Sequence, residues 1–271
     1  MKIRPAIWPQ SIPWSVRLQG FHARRVRTEV SRVAKGRGLD LALQPIFDIH
    51  SGRPIGYEAL SRPRAFDQSP AELLEEATRQ GRRWAVERSM RRRALAHLAR
   101  LDRRALLFVN CSPGVLADER FVDDLLESLS SATNAKPRDL VLEITEEPDR
   151  TDGPGLDRAI AAVRKLGVQV AVDDVGAGSS GLRRIARFAP DWIKVDRGLV
   201  EELDRDAGAA GHVIAGLVSV ADRCGARLIA EGVERPCQVE RLRSLGVRFL
   251  QGFLLGRPVA APPAPPPRLA A

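Results

Sequence analysis

The chain has 271 residues and 44% of them are hydrophobic, so it can bury a sizeable core and is neither an intrinsically disordered chain nor a disulfide-stapled miniature fold. Its formal net charge is +9, but residues 1–38 carry +8 and residues 257–271 carry +2, which leaves the body between them at −1. Because the basic charge belongs to the two ends, composition gives little support to a nucleic-acid-binding body.

Cysteine usage and hydropathy indicate the compartment. Cys111, Cys224 and Cys237 are far apart and form no C-x-x-C pair, which favours a reducing compartment and argues against a zinc site. The N-terminus lacks the apolar run of a signal peptide, and the sequence contains no run of about 18 uncharged apolar residues that could form a transmembrane helix. We therefore expect a cytoplasmic protein.

The sequence divides into three parts. Residues 1–23 are expected to form a basic, poorly structured extension, residues 24–258 a folded body, and residues 259–271 a flexible Pro-rich tail. A helix is predicted from Phe21 to about Lys35, where apolar residues recur at helical spacing. We expect it to cap one end of the body or to belong to a preceding linker. Nucleic-acid or membrane-surface binding by the basic N-terminus is a minority alternative that rests on charge alone.

Within the body, short apolar runs alternate with charged helical stretches. The runs predict eight strands, at 41–47, 54–60, 105–110, 139–144, 168–174, 191–196, 227–231 and 247–251. Helices are predicted near 84–101, 119–130, 155–166, 207–224 and 235–245. This alternation is typical of an α/β protein with a TIM-like (β/α)8 barrel. Only six residues separate the first two runs, too few for a crossover helix, so the first strand is predicted to be antiparallel.

Polar residues recur where the predicted strands end. In chain order they are Glu58, Asn110, Glu143, Asp173 with Asp174, Lys194, Glu231 and Gln251. In a barrel these ends meet at one face, where the carboxylates would repel one another unless cations neutralised them. Mg²⁺ and Mn²⁺ are the cations that prefer such oxygen ligands, and a pair of them about 3.5–4 Å apart suits phosphodiester hydrolysis.

Each of these residues also has a simpler explanation. The Asp173–Asp174 pair could start a helix or form an Asx turn, and Glu143 could be a first-turn acid. Lys194 and Arg62 could be ordinary surface charges. A joint site is favoured because a polar residue occurs at the end of seven strands in succession. Lys194 would then add a fixed positive charge, and Arg62 could bind a phosphate oxygen.

Eight motifs in this order carry a family resemblance. They are QPI (44–46), EAL (58–60), VNCSP (109–113), LEITE (142–146), VDDVGAGSSGL (172–182), IKVD (193–196), AEGVE (230–234) and QGFLLGRP (251–258). Over residues 24–258 the chain resembles the EAL-domain family, which hydrolyses the bacterial second messenger cyclic di-GMP to linear pGpG. The family fold is a TIM-like barrel whose first strand runs antiparallel, in agreement with the short first connection.

The resemblance implies a role for each matching residue. One metal ion would be bound by Glu58, Asn110, Glu143 and Asp173, and a second by Asp173, Asp174 and Glu231. Lys194 would contact the attacking water, and Gln251 would complete the inner ring. Implied as catalytic are Glu58, Asp174, Lys194, Glu231 and Gln251, and as substrate-binding Gln44, Leu60, Arg62 and Gln251. Two Mg²⁺ or Mn²⁺ ions and a homodimer are further implications.

The loop after the fifth strand departs from the family pattern. Glu146, Gly176 and Gly178 are expected to order it, but Val175 and Ser179 replace two aromatic residues of the family, with Ala177 between the glycines. Loss of aromatic packing would weaken the order of the loop. The alternative is therefore a weak or inactive EAL-like barrel that binds cyclic di-GMP or a protein partner as a sensor. A glycosidase is poorly supported, because it explains neither Asn110 nor Lys194.

Overall fold

The computed structural model describes residues 25–64, 70–98, 101, 105–132, 135–145, 153–178, 180–205 and 207–260. The chain divides into two compact units, one from residues 1–39 and 62–89 and the other from residues 40–61 and 90–271. The predicted N-terminal extension and residues 261–271 of the predicted tail lie outside the described residues.

The strands form a closed barrel in sequence order. They are β1 (Leu39–Asp48), β2 (Arg53–Pro63), β3 (Leu106–Cys111), β4 (Leu140–Ile144), β5 (Gln169–Val175), β6 (Trp192–Val195), β7 (Arg227–Ala230) and β8 (Phe249–Leu250). Neighbours from β2 to β8 pair in parallel, whereas β1 pairs antiparallel with β8. The predicted barrel and its antiparallel first strand are confirmed.

Helices fill the connections, as the sequence pattern predicts. They are α1 (25–33), α2 (Pro70–Arg79), α3 (Arg83–Leu98), α4 (Pro113–Leu116), α5 (Phe121–Ser131), α6 (Pro154–Lys165), α7 (Gly181–Phe188), α8 (Arg197–Arg205), α9 (Ala207–Cys224) and α10 (Pro236–Ser244). Sequence reasoning did not identify α2, α4, α7 or α8. In α7 the buried face includes Arg184 while Leu182 is exposed, so its apolar stripe is broken. Within the described residues, none of the helices is long and apolar enough to cross a bilayer.

In the smaller unit, α1 packs through an apolar stripe. Val26, Val30 and Val33 are buried at helical spacing, as are residues of the other helices, Leu73, Ala77 and Val86. On the outside, Arg82 donates a hydrogen bond to the Ser31 hydroxyl at 3.2 Å, and Arg27 lies 3.4 Å from Glu76. The helix predicted from the N-terminal pattern is thus present over its described part.

The barrel interior contains a layer of buried apolar side chains. Its members are Ile46, Phe108, Val141, Ala171, Trp192 and Ile229, and all are fully buried. Trp192 lies at its centre and meets Phe108 and Phe249 edge-on, with both pairs of ring centroids 5.3 Å apart. The indole Nε1 donates to Gln169 at 2.9 Å, so the buried ring leaves no polar atom unsatisfied.

The polar strand-end residues form the next layer above this apolar one. Side chains two positions apart on a strand face the same side, and on six of the strands an apolar residue of this layer or packed against it is followed, two positions on, by a polar one. The pairs are Phe108–Asn110, Val141–Glu143, Ala171–Asp173, Trp192–Lys194, Ile229–Glu231 and Phe249–Gln251. Asn110 pairs in register with Glu143, whereas Lys194 pairs with Ile229, so the polar residues are staggered along the barrel wall from strand to strand. Six residues from separate parts of the sequence thus form one ring of polar side chains, the polar ring.

An ion pair closes the barrel at the seam between β1 and β8. Asp48 pairs in register with Phe249, and Arg248 donates from Nε and Nη2 to the two carboxylate oxygens of Asp48 at 3.0 and 2.8 Å. Asp48 is 4% exposed and also accepts a hydrogen bond from the backbone N–H of His50. Because Gln44 lies four residues before Asp48 on β1 and Gln251 directly follows β8, this seam also aligns one side of the polar ring.

Candidate active site

Glu58 is held by two amide side chains, one from β3 and one from the residue that follows β8. Asn110 Nδ2 donates to Glu58 Oε1 at 3.0 Å, and Gln251 Nε2 donates to Glu58 Oε2 at 2.7 Å. Gln251 also lies 3.3 Å from Gln44 Oε1, and Gln44 donates to the carbonyl of Gly256 at 3.2 Å. The carboxylate of Glu58 therefore has a fixed orientation toward the centre of the ring.

Lys194 occupies that centre. Its Nζ lies 2.7 Å from Glu143, 2.5 Å from Glu231, 3.2 Å from Asp173 and 3.7 Å from Glu58. The lysine side chain is 1% exposed and that of Glu143 is fully buried. One ammonium group thus faces four carboxylates, which is more negative charge than it can neutralise.

Asp174 reaches the ring through an irregularity in β5. The register of β5 against β6 shifts between Val172 and Val175, and Asp174 has a left-handed backbone with φ of 54°. This bulge lets two consecutive residues serve one site, although a regular strand would point them to opposite faces. Ligand atoms of Asp173, Asp174 and Glu231 all lie within 4.8 Å of one another.

The charges on Lys194 and Glu58 support each other. Burial alone would lower the pKa of Lys194, but Asp173, Glu143 and the other carboxylates outweigh it and raise the pKa well above its ordinary value. Burial would raise the pKa of Glu58, but Lys194 and the hydrogen bonds from the two amides outweigh it and lower the pKa. Both pKa shifts favour the charged forms, the ammonium of Lys194 and the carboxylate of Glu58.

The pKa values of Glu143, Glu231 and Asp174 are raised. Burial raises the pKa of Glu143 well above its ordinary value, against the opposing effect of Lys194. Burial raises the pKa of Glu231 to about 8, and burial together with the charge of Asp173 raises the pKa of Asp174 to about 6. These shifts have one physical cause: several acids share a desolvated space with a single cation.

The ring fits divalent cations by its donor chemistry. Among the described residues, Glu143 Oε2 is buried without a hydrogen-bond partner, and Glu143 Oε1, Asp173 Oδ1 and Glu231 Oε1 are buried around the single ammonium of Lys194, at 2.7, 3.2 and 2.5 Å. Buried oxygens in this state are rare unless a ligand satisfies them. Carboxylate and amide oxygens are the ligands that Mg²⁺ and Mn²⁺ prefer, and the predicted set supplies both kinds.

A cavity of about 200 Å³ opens at this end of the barrel. It is lined by Gln44, Glu58, Arg197, Glu231, Gly232, Glu234, Gln251, Gly252 and Phe253. A larger cavity of about 860 Å³ is lined by residues at the opposite ends of the strands, among them Ile55, Leu106 and Arg227. The smaller cavity borders the polar ring. It is the candidate active site, because the reactive side chains of the ring, and not the size of a cavity, determine where chemistry can occur.

The other predicted site residues lie outside this cluster or outside the described residues. Leu60 is partly buried two residues beyond Glu58 on β2, and Arg62 lies exposed near the end of that strand in the other compact unit. Glu146 and Ser179 lie outside the described residues. Of the described loop residues, Val175 is buried at the end of β5, while Gly176, Ala177 and Gly178 are exposed. The roles assigned to them by resemblance stay predictions.

Sequence reasoning missed five residues of the cavity wall, Arg197, Gly232, Glu234, Gly252 and Phe253. Arg197 and Glu234 form an ion pair at 3.3 Å, and the exposed ring of Phe253 lies 4.5 Å from the guanidinium carbon of Arg257. Arg197 comes three residues after Lys194, and Glu234 three after Glu231. Their short distance in sequence from a predicted strand-end residue was the one signal that the sequence offered. Only the fold shows which loop residues lie over the polar ring.

Comparison with known proteins gives the family. Residues 27–258 match the family profile of the EAL domain. The bifunctional diguanylate cyclase/cyclic di-GMP phosphodiesterase MucR of Pseudomonas aeruginosa is 30% identical over 244 residues, which cover 86% of this chain and 35% of that protein. The probable cyclic di-GMP phosphodiesterase PdeN of Escherichia coli is 29% identical over 238 residues, which cover 85% of this chain and 45% of that protein. The chain thus spans less than half the length of these relatives.

Solved structures agree with this result. The PaMucR phosphodiesterase in complex with c-di-GMP superimposes with a TM-score of 0.78 at 28% identity, over 88% of this chain and 98% of that chain. Klebsiella pneumoniae BlrP1 in its manganese/cy-diGMP complex gives 0.75 at 32% identity, over 83% and 56%. The profile match covers most of the chain and the barrel is shared: this chain belongs to the EAL domain family.

Proposed function

We propose that this protein hydrolyses one phosphodiester bond of cyclic di-GMP to give linear pGpG, with two divalent cations, Mg²⁺ or Mn²⁺, held in the carboxylate ring. The observation that carries the proposal is the group of buried carboxylates that crowd around a single ammonium, that of Lys194, at the mouth of the barrel. The relatives that act on cyclic di-GMP, and a neighbour that holds manganese with it, support the substrate and the metal.

The residues that would hold the cations are Glu58, Asn110, Glu143, Asp173, Asp174 and Glu231. Bound there, the cations would polarise the phosphate and lower the pKa of a bound water. The ring's own residues account for the rest of the chemistry. Lys194 Nζ keeps its proton and places a fixed positive charge where the phosphate gains negative charge, and it can orient the attacking water by donating a hydrogen bond. Asn110 and Gln251 keep Glu58 from rotating.

The apolar layer below contributes by excluding water. Trp192, Phe108 and Ile229 are fully buried directly beneath the ring, so bulk solvent does not reach it from that side. Electrostatic interactions are stronger in such a desolvated space than at a protein surface. The fixed charges would therefore interact with the phosphate more strongly than they would at the protein surface.

Turnover is the direct test of this proposal. The purified protein is incubated with cyclic di-GMP and Mg²⁺ or Mn²⁺, and pGpG is followed by chromatography. Glu58→Ala is expected to abolish measurable turnover, because it removes a ligand and the hydrogen-bond partner of two amides. Glu240→Gln, an exposed change on α10 that weakens only a local pair with Arg243, is the matched control and keeps full activity.

A second candidate, binding of cyclic di-GMP without turnover, is favoured by the loop after β5. Val175 and Ser179 stand where the family has aromatic residues. The absence of pGpG from the wild-type protein at high enzyme concentration would overturn the enzyme proposal, and retained binding would then support the sensor. A homodimer is a further part of the proposal, which light scattering at several protein concentrations tests.

A further inference from the structure

The wall of the active-site cavity contains one cationic side chain among its described residues. Three glutamates, Glu58, Glu231 and Glu234, line the cavity together with Arg197, and the other lining residues are uncharged. Lys194 is buried beneath this wall and already faces four carboxylates. An anionic ligand that enters the cavity therefore meets Arg197 first as a source of positive charge.

The direction of the Arg197 side chain is set by a glycine. Arg197 is the first residue of α8, and its aliphatic carbons lie against the backbone of Gly232, the residue after Glu231. A Cβ at position 232 would lie 2.2 Å from Arg197 Cγ, and Gly232 has φ of +68°. Any other residue at 232 would push the arginine away, so the glycine directs its guanidinium along the cavity wall.

The present partners of Arg197 hold it only weakly. Its Nε lies 2.5 Å from Glu201, one turn along α8, and its Nη2 lies 3.3 Å from Glu234. The arginine side chain is 53% exposed and those of the two glutamates are 41% and 42% exposed. Pairs this exposed contribute little to stability, so a guanidinium can exchange one of them for a phosphate at little cost. Its planar fork suits two phosphate oxygens.

We propose that Arg197 is a substrate-binding residue whose guanidinium contacts the phosphodiester of the cyclic dinucleotide that is not being cleaved. The inference rests on the proposed function for the identity of the substrate. A cyclic dinucleotide carries two phosphodiesters on opposite sides of its ring. When one lies over Lys194 and the carboxylates, the other lies away from them, toward the cavity wall that Arg197 forms.

The test compares binding with turnover. Binding of cyclic di-GMP is measured calorimetrically with Ca²⁺, which a solved relative holds together with cy-diGMP, and KM and kcat are measured with Mg²⁺ or Mn²⁺. For Arg197→Gln we expect Kd and KM to rise about 10-fold, which equals about 1.4 kcal/mol, with kcat within about twofold of wild type. Arg197→Lys keeps the charge without the fork and is expected to recover part of the affinity.

Arg243→Gln is the matched control, because Arg243 is 51% exposed and pairs within its own helix with Glu240. This variant removes an arginine that is about equally exposed but lies away from the cavity wall. We therefore expect it to leave Kd unchanged. An unchanged Kd for Arg197→Gln, or an equal rise for Arg243→Gln, would overturn the inference. A wild type that binds without turnover refutes the proposed hydrolysis, yet the Kd comparison still decides the role of Arg197. A wild type that does neither overturns both.

Discussion

The ion pair between Asp48 and Arg248 allows a quantitative prediction about closure of the barrel. Hydrogen bonds from Arg248, opposed in part by burial, lower the pKa of Asp48 from 3.8 to about 2. This shift corresponds to about 2 kcal/mol of stabilisation of the folded state. Because the Arg248 side chain is 54% exposed, solvent screening reduces the expected contribution to about 1–2 kcal/mol.

The perturbation is Asp48→Asn, which keeps an oxygen that can accept the His50 N–H but removes the charge. We expect the free energy of unfolding at pH 7 to fall by about 1–2 kcal/mol, measured by urea denaturation. Since the folded-state pKa of Asp48 is lowered, its contribution is complete above about pH 4 and is lost as the pH falls through 2. The difference between the two proteins should therefore shrink toward zero at the acid end.

Asp157→Asn is the control for this experiment. Asp157 binds Arg187 in the same two-point manner, at 2.9 and 2.7 Å, but its side chain is 47% exposed. We expect a clearly smaller loss of stability from this variant, because water screens the pair. Equal losses for both variants, or a loss for Asp48→Asn that is the same at pH 7 and pH 2, would refute the reasoning.

Two further changes test the interior. Lys194→Met is expected to reduce turnover at least about 100-fold. In EDTA it is expected to lower the free energy of unfolding by roughly 3–5 kcal/mol, because four carboxylates lose their common partner. Added Mn²⁺ should restore part of this stability, measured by urea unfolding. Unchanged stability in EDTA would contradict the central role of Lys194. Trp192→Phe should lower the free energy of unfolding by roughly 1–3 kcal/mol, because the hydrogen bond to Gln169 and ring contacts are lost. The same urea denaturation measures this, and an increase in stability would contradict the prediction.

The barrel and its polar ring could be predicted from the sequence because both depend on short-range patterns. Apolar runs mark the strands, and the residue that ends each run is carried to one face by parallel pairing. The six-residue connection between the first two runs was enough to predict the antiparallel strand. The eighth strand was the least regular, since only Phe249 and Leu250 of the predicted run 247–251 are paired as a strand.

Side-chain partnerships could not be predicted in the same way. The contact between Lys194 and Glu231 depends on the register of β6 and β7, and the position of Asp174 depends on a bulge that no local sequence pattern specifies. Arg197 was missed because its role depends on the missing side chain of a glycine 35 residues later in the sequence, Gly232. Such pairings are properties of the assembled fold and not of any window of sequence.

The left-handed backbone of Asp174 places local stability and function in opposition. A residue other than glycine in this conformation is held there at a cost of about 1 kcal/mol or more, and Asp174 also lies beside like charges. A design procedure that scores only folding energy would favour glycine at 174, since glycine removes both penalties. The same substitution would delete a carboxylate from the ring. Thermostabilised variants of this barrel should therefore be selected with position 174 held constant.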